Sequence, residues 1–156
     1  MTKKALTILV VLIFSKMSYA QNPRATSDIA AIKQTINKLM DAIRKNDSSL
    51  ARSVLSESMI FQSLSAKNGT SKMSTFNADD LVKIIGTPDA SVDDERVVYD
   101  AIKIDGDLAC VWAPYQFFLG AQFSHCGVDV FQLMRTAEGW KVIYIADTQR
   151  KGNCIP

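Results

Sequence analysis

An α+β fold, with a curved antiparallel sheet wrapped around about three helices of the N-terminal half, is predicted by three features of this sequence. Apolar residues recur at three- and four-residue steps before Gly86, strand-forming residues dominate from Glu95 onward, and short Gly-containing turns punctuate that second half. Helices first and a long meander after them is the order of an α+β domain, not of alternating βαβ units.

The extreme N-terminus is set apart from the fold. Lys3-Lys4 precede an apolar run from Ala5 to Phe14, and Ser18-Tyr19-Ala20 follow. That is the pattern of a signal peptide, residues 1–20, cut after Ala20. Its apolar run is shorter than the ~20 residues a membrane span needs. The expectation is an exported chain, periplasmic or extracellular, with no membrane attachment after cleavage. Gln21–Ser27 reads as a flexible leader, residues 28–151 as a single domain, and residues 152–156 as a C-terminal tail.

From Asp28 onward, Ile29, Ile32, Ile36, Leu39, Met40 and Ile43 place one apolar stripe on a helix of about four turns, with Asp28 able to cap it. Asp47-Ser48 then opens a short second helix through Leu50, Ala51, Val54 and Leu55. Glu57–Ser65 and Ser71–Thr75, joined at Lys67–Thr70, form a polar hairpin suited to a sheet edge. Asn77 caps a third helix whose first turn holds Asp79 and Asp80 and whose end is marked by Gly86 and Pro88. Asp89–Asp94 reads as a solvated acidic connector. Four strands follow: Arg96–Ile104, Asp107–Leu119, Phe123–Arg135 and Trp140–Gln149, with turns at Asp105-Gly106, Gly120-Ala121 and Thr136–Gly139. Pro114 removes a ladder donor, so a bulge or bend is expected there.

Charge and cysteine content narrow the function. Lys3, Lys4 and Lys16 lie in the predicted signal, which contains no acid, so the remaining chain has 15 basic and 16 acidic residues. Such a balance gives no support to nucleic acid as a partner. One histidine and no close cysteine pair make a zinc site improbable, and neither a phosphate loop nor a nucleophile elbow is present. No cofactor is implied. Of the three cysteines, Cys110 sits in an apolar run and is expected to be buried. Cys126 and Cys154 are the favoured pair, although spacing alone fixes no connectivity.

The run VWAPYQFFLGAQFSHCGVDVFQLMRTAEGWKVIYIADTQR, behind a three-helix start, resembles the nuclear-transport-factor-2-like superfamily. In particular it resembles the small exported bacterial members of the lumazine-binding-like and SnoaL-like kinds. The resemblance extends from about Asp28 to Cys154. It implies a cone-shaped curved sheet closed by helices, a pocket inside, and frequent dimerisation through the sheet. The superfamily includes steroid isomerases, dehydratases and polyketide cyclases beside members with no demonstrated reaction. In the isomerase-like members an acid on the strand matching Phe123–Arg135 helps bind an oxyanion; alignment on the following glycine puts Phe131 there.

With Phe131 inward, the two-residue period also sends His125 and Asp129 inward. A two-residue turn at Ala137-Glu138 then makes Tyr144 an inward neighbour, while the Gly120-Ala121 turn sets Trp112 opposite Asp129 and Gln116 opposite His125. Trp112, Gln116, Phe131 and Tyr144 become candidate ligand-binding residues, and His125 and Asp129 candidate catalytic ones. Along the strand the last two stand ~13 Å apart, too far for a direct dyad. A slip of one residue at Gly139 would instead bring Asp147 beside Asp129 and turn Tyr144 outward. Val128, Val130, Ile143 and Ile145 are expected to form an outer apolar patch suited to a homodimer. Three readings follow: an exported protein binding a small apolar or aromatic ligand; a lyase or isomerase using His125 as general acid or base; or a structural, partner-binding dimer with a filled cavity.

Overall fold

A computed structural model describes residues 23–67, 70–88 and 90–154. The predicted signal peptide lies outside the described residues. Helices α1 (Pro23–Lys45) and α2 (Ser48–Val54) are followed by strands β1 (Leu55–Lys67) and β2 (Thr70–Asn77) and by helix α3 (Ala78–Ile85). The remaining strands are β3 (Asp93–Val97), β4 (Ala101–Asp105), β5 (Leu108–Leu119), β6 (Gln122–Thr136) and β7 (Gly139–Arg150). None of the described helices is long and apolar enough to cross a membrane.

Helix α1 begins at Pro23, not at Asp28, so Pro23–Ser27 belong to the helix and are not a leader. Proline suits a first helical turn because its missing N–H would have had no intrahelical partner. Asp28 therefore does not mark the start of the helix. It lies inside α1 and accepts two hydrogen bonds from Arg135, at 2.8 and 2.6 Å. The expected stripe is the buried one: Ile32, Ile36, Leu39 and Met40 pack against the sheet. The other two helix starts follow the sequence reading. Asp47 accepts from the Leu50 amide at 2.9 Å, and Asn77 and Asp80 form a reciprocal capping box.

All strands share one sheet, in the order β2-β1-β7-β6-β5-β3, with β4 also on β5. The β5-β6-β7 meander is antiparallel as expected, whereas β1 joins β7 in parallel, which makes the sheet mixed. The single strand expected over Arg96–Ile104 is two, β3 and β4, each paired with β5. Pro114 accounts for the break. Its backbone nitrogen and carbonyl point to the same side of the strand; the Val98 amide donates to that carbonyl at 2.8 Å, and Pro114 returns no donor. The edge strand departs there, while the β5–β6 register runs through Pro114 unbroken and bulges at Phe117/Phe118 instead. Between β3 and β4, Tyr99 reaches α1 and donates to Asn37 Oδ1 at 2.6 Å.

The β6–β7 turn has the expected two residues, pairing Thr136 with Gly139, but a bulge follows between Gln132 and Leu133. Beyond it Gln132 pairs with Tyr144 and Asp129 with Asp147. The slip envisaged at Gly139 thus occurs at Ile143. Ile145 is turned into the core, so the outer apolar patch expected from Val128, Val130, Ile143 and Ile145 loses that member. Cys126 and Cys154 form a disulfide with Cα atoms 5.7 Å apart. Cys110 is an exposed free thiol, not a buried one; alternation buries Ala109 and Val111 and turns Cys110 out.

Candidate functional site

Between the concave face of the sheet and helices α1 and α3 lies a cavity of about 260 Å³. The helices give it an apolar roof, Leu39, Met40 and Ile43 from α1 and Leu81, Ile84 and Ile85 from α3, with Asn46 at the end of α1. Phe61, Phe117, Phe131 and Ile145 come from the sheet. One wall is acidic, with Asp93 and Glu95 from β3, Asp129 from β6 and Asp147 from β7. No lysine or arginine is among the described lining residues.

Strand alternation assembles this wall. Glu95 pairs with Phe117 on β5, His125 pairs with the same Phe117 from the other side, and Asp129 pairs with Asp147 on β7. Asp129 and Asp147 are 4% and 6% exposed. Asp129 Oδ2 and Asp147 Oδ1 have no hydrogen-bond partner within the chain. Asp147 Oδ2 lies 3.3 Å from the Tyr115 hydroxyl and 3.3 Å from Gln149 Nε2. Tyr115 gets there because Gly127, between them on β6, has no side chain. A Cβ at that position would stand 1.7 Å from the Thr148 carbonyl oxygen and 2.6 Å from the Tyr115 ring.

Two of these carboxyl groups, Glu95 and Asp129, hold protons that ordinary carboxylates lose. Burial, opposed by a hydrogen bond with Asp129 and reinforced by the charges of Asp147 and Asp93, pushes Glu95 up to about 7. Asp129 is raised well above the usual range by burial first, then by the charges of Glu95 and Asp147 and the hydrogen bond to Glu95. Two interior carboxyls in contact share a proton, because ionising both would place like charges together away from water. Burial, together with the Asp147, Asp129 and Glu95 charges, also raises the Tyr115 phenol, which stays neutral as a donor. Two arginines bound at β3 do not relieve the cluster. Arg44 and Arg96 both bind Asp94, at 2.7–2.8 Å, on the other side of β3.

His125 lines the cavity, its ring stacked on Phe117 with centroids 4.8 Å apart and its Nδ1 3.0 Å from Ser124 Oγ. Burial lowers its pKa, partly offset by Asp147 and reinforced by Lys151, so the ring is neutral at physiological pH. Phe131 also lines the cavity, 1% exposed. Three expected ligand contacts are elsewhere. Trp112 pairs with Val130, not Asp129, and is 47% exposed on the convex face. Gln116 pairs with Cys126, not His125, because the bulge at Phe117/Phe118 shifts the register. Tyr144, displaced by the bulge at Ile143, faces outward and donates to Gln62 Oε1 at 2.5 Å.

Sequence reasoning missed Glu95, Asp93 and Tyr115 as site residues. Asp93 and Asp94 were expected in a solvated connector, yet they open β3. Carrying the two-residue period of β3 back through the acidic run would have put Asp93, Glu95 and Val97 on one face.

No protein-family model and no curated protein sequence matches the chain. Solved structures do. A nuclear-transport-factor-2-like protein with a cystatin-like fold from Novosphingobium aromaticivorans superposes with a TM-score of 0.68 at 14% identity, covering 83% of this chain and 86% of that one. A nuclear-transport-factor-2-like protein of unknown function from Shewanella baltica gives 0.65 at 17% identity, over 84% of this chain and 100% of the other. One from Silicibacter pomeroyi, also of unknown function, gives 0.64 at 13%, over 81% and 98%. Likeness at such identities speaks to architecture alone. Three helices against one curved, unclosed mixed sheet are what these proteins share with this chain, and its fold is the nuclear-transport-factor-2-like, cystatin-like fold.

Proposed function

We propose that this protein binds a small, largely apolar molecule in the cavity between α1, α3 and the concave sheet face. The observation that carries the reading is the cavity itself. It is larger than the ~150 Å³ void that takes up benzene, apolar over most of its lining, and acidic at one wall only, the composition small-molecule sites generally have. An open cavity is also the reason to prefer this reading to a purely structural dimer. Export is part of the proposal, supported by the N-terminal pattern and by a disulfide of the kind that persists in oxidising compartments. Pairing of convex faces into a homodimer is another part, supported by exposed Trp112, Ile60 and Leu64. The finer affinity with lumazine-binding-like or SnoaL-like proteins rests on the sequence resemblance.

The test is mass spectrometry of material released from purified protein, with a thermal-shift screen run on wild type and on Ile145→Trp, which fills the cavity. Ligands should raise the wild-type Tm and leave the variant unmoved. A screen in which no compound distinguishes the two would sink the reading.

Catalysis is a second reading, favoured by one observation: Glu95, held near neutrality, touches Asp129 in the cavity that His125 also lines. A group poised near the working pH is suited to general acid–base transfer. In a lyase or isomerase of this kind, Glu95→Gln should abolish turnover of a cyclic substrate and His125→Ala should lower it.

A further inference from the structure

The cavity joins an apolar roof to a wall of four acidic residues, with no lysine or arginine among the described residues that line it. On that wall Asp129 Oδ2 and Asp147 Oδ1 are buried without a partner in the chain. We infer that the bound molecule is a cation, an ammonium or amidinium group on an apolar body of one or two rings, donating to Asp129 Oδ2 and Asp147 Oδ1. The inference rests on the cavity being a binding site and adds the chemical class of its occupant.

Three features select the charge. An anion would meet a wall of four acids, with no lysine or arginine among the described lining residues to offset them. A neutral donor satisfies the two oxygens and leaves the repulsion between the acids in place, whereas a cation relieves both. The rings of Phe61, Phe117 and Phe131 border the same space, and aromatic faces attract cations. Arg44 and Arg96 do not do this work, since both are held by Asp94.

Binding is then linked to protons. The titratable groups facing Glu95 and Asp129 are Asp93, Asp147, Tyr115 and the neutral His125, with Lys151 acting on the last. Helices α1 and α3 add only apolar groups and Asn46. As the cation enters, the proton shared by Glu95 and Asp129 leaves to solvent, so charge is conserved in the site. Affinity for an amine should therefore rise with pH through the neutral range.

Phenethylamine and propylbenzene, in which a methyl replaces the ammonium, form the matched pair. Titration calorimetry at about pH 6 and about pH 8, each in two buffers of different ionisation enthalpy, is run on the full chain. The amine should bind about tenfold more tightly at the higher pH, releasing more protons at about pH 6, where the site still holds the shared one, than at about pH 8, and at about pH 8 it should bind about tenfold more tightly than propylbenzene. Asp129→Asn, checked for folding by its Tm, should lose that preference. Propylbenzene binding as tightly as the amine, or amine affinity independent of pH, overturns the cation and leaves the cavity standing as a binding site. Failure of both compounds to bind overturns the inference together with the reading beneath it.

Discussion

Two aspartates are buried under the same sheet, and the protein treats them differently. Asp28, on α1, meets the forked guanidinium of Arg135, which is itself seated on Trp140 with Cζ 4.4 Å from the ring centroid. Asp129, in the middle of β6, meets another acid, and a third stands across the ladder on β7. A buried carboxylate is ordinarily paired or neutralised. At the Asp28 end pairing is achieved with a bidentate geometry; at the Asp129 end a shared proton substitutes. The chain that can build the first arrangement leaves the second unfinished next to a cavity. Unrelieved repulsion of this kind is expected where a site is kept ready for something else.

The contrast is open to attack at several points. The largest effect is expected from Gly127→Ala, which drives a methyl into the β7 backbone and the Tyr115 ring. Displacement of both should cost about 3 kcal/mol or more, read as a fall in denaturant midpoint, and should disturb Asp147 while leaving the Asp28–Arg135 end intact. Next comes pH. Glu95 keeps its proton to higher pH folded than unfolded, so the stability it contributes is full below about 4.5 and is lost as pH rises through about 7, and Asp129, raised in the same direction, adds a loss of the same sign. For Glu95 alone the loss is on the order of 3 kcal/mol, and Glu95→Gln should flatten it. A stability curve that rises between those values would contradict the shared proton.

Smaller but more diagnostic is the pair of amide substitutions. Asp129→Asn should raise stability at about pH 8 by about 1–2 kcal/mol, because it removes a charge from a repelling cluster. Asp28→Asn should lower it, because it removes one from a pair. Effects of the same sign in thermal melts would dissolve the comparison. The smallest change is expected for His125→Ala, about 1 kcal/mol from the lost stack on Phe117, with little effect on the pH slope.

Most of the architecture was legible in the sequence, because it rests on period and punctuation. The stripe on α1, the caps Asp47 and Asn77 and the three meander turns are local signals; all are found where they were read except the first turn, which lies one residue later, at Gly106-Asp107. Strand faces were harder. His125, Asp129 and Phe131 were placed correctly because all three lie on β6 between the same two bulges. Trp112, Gln116 and Tyr144 were inferred across a ladder from β6, and an extra residue at Ser124 or Ile143 reverses the face of everything beyond it. Such bulges leave no compositional mark. The parallel pairing of β1 with β7 was illegible for a different reason: it joins residues some eighty positions apart, and no local pattern encodes it. Glu95 was missed because a charged run at a chain edge reads as solvent-facing until α1 is known to lie over it.

Cys110 gives the convex face a practical use. With Cys126 and Cys154 engaged by each other, it is the one thiol left for a maleimide or methanethiosulfonate reagent under non-reducing conditions. It projects from β5 two residues before Trp112, on the side away from the cavity. A nitroxide attached there reports on neighbouring molecules without an engineered cysteine, so pulsed electron spin resonance can measure whether two convex faces meet and how far apart the labels sit.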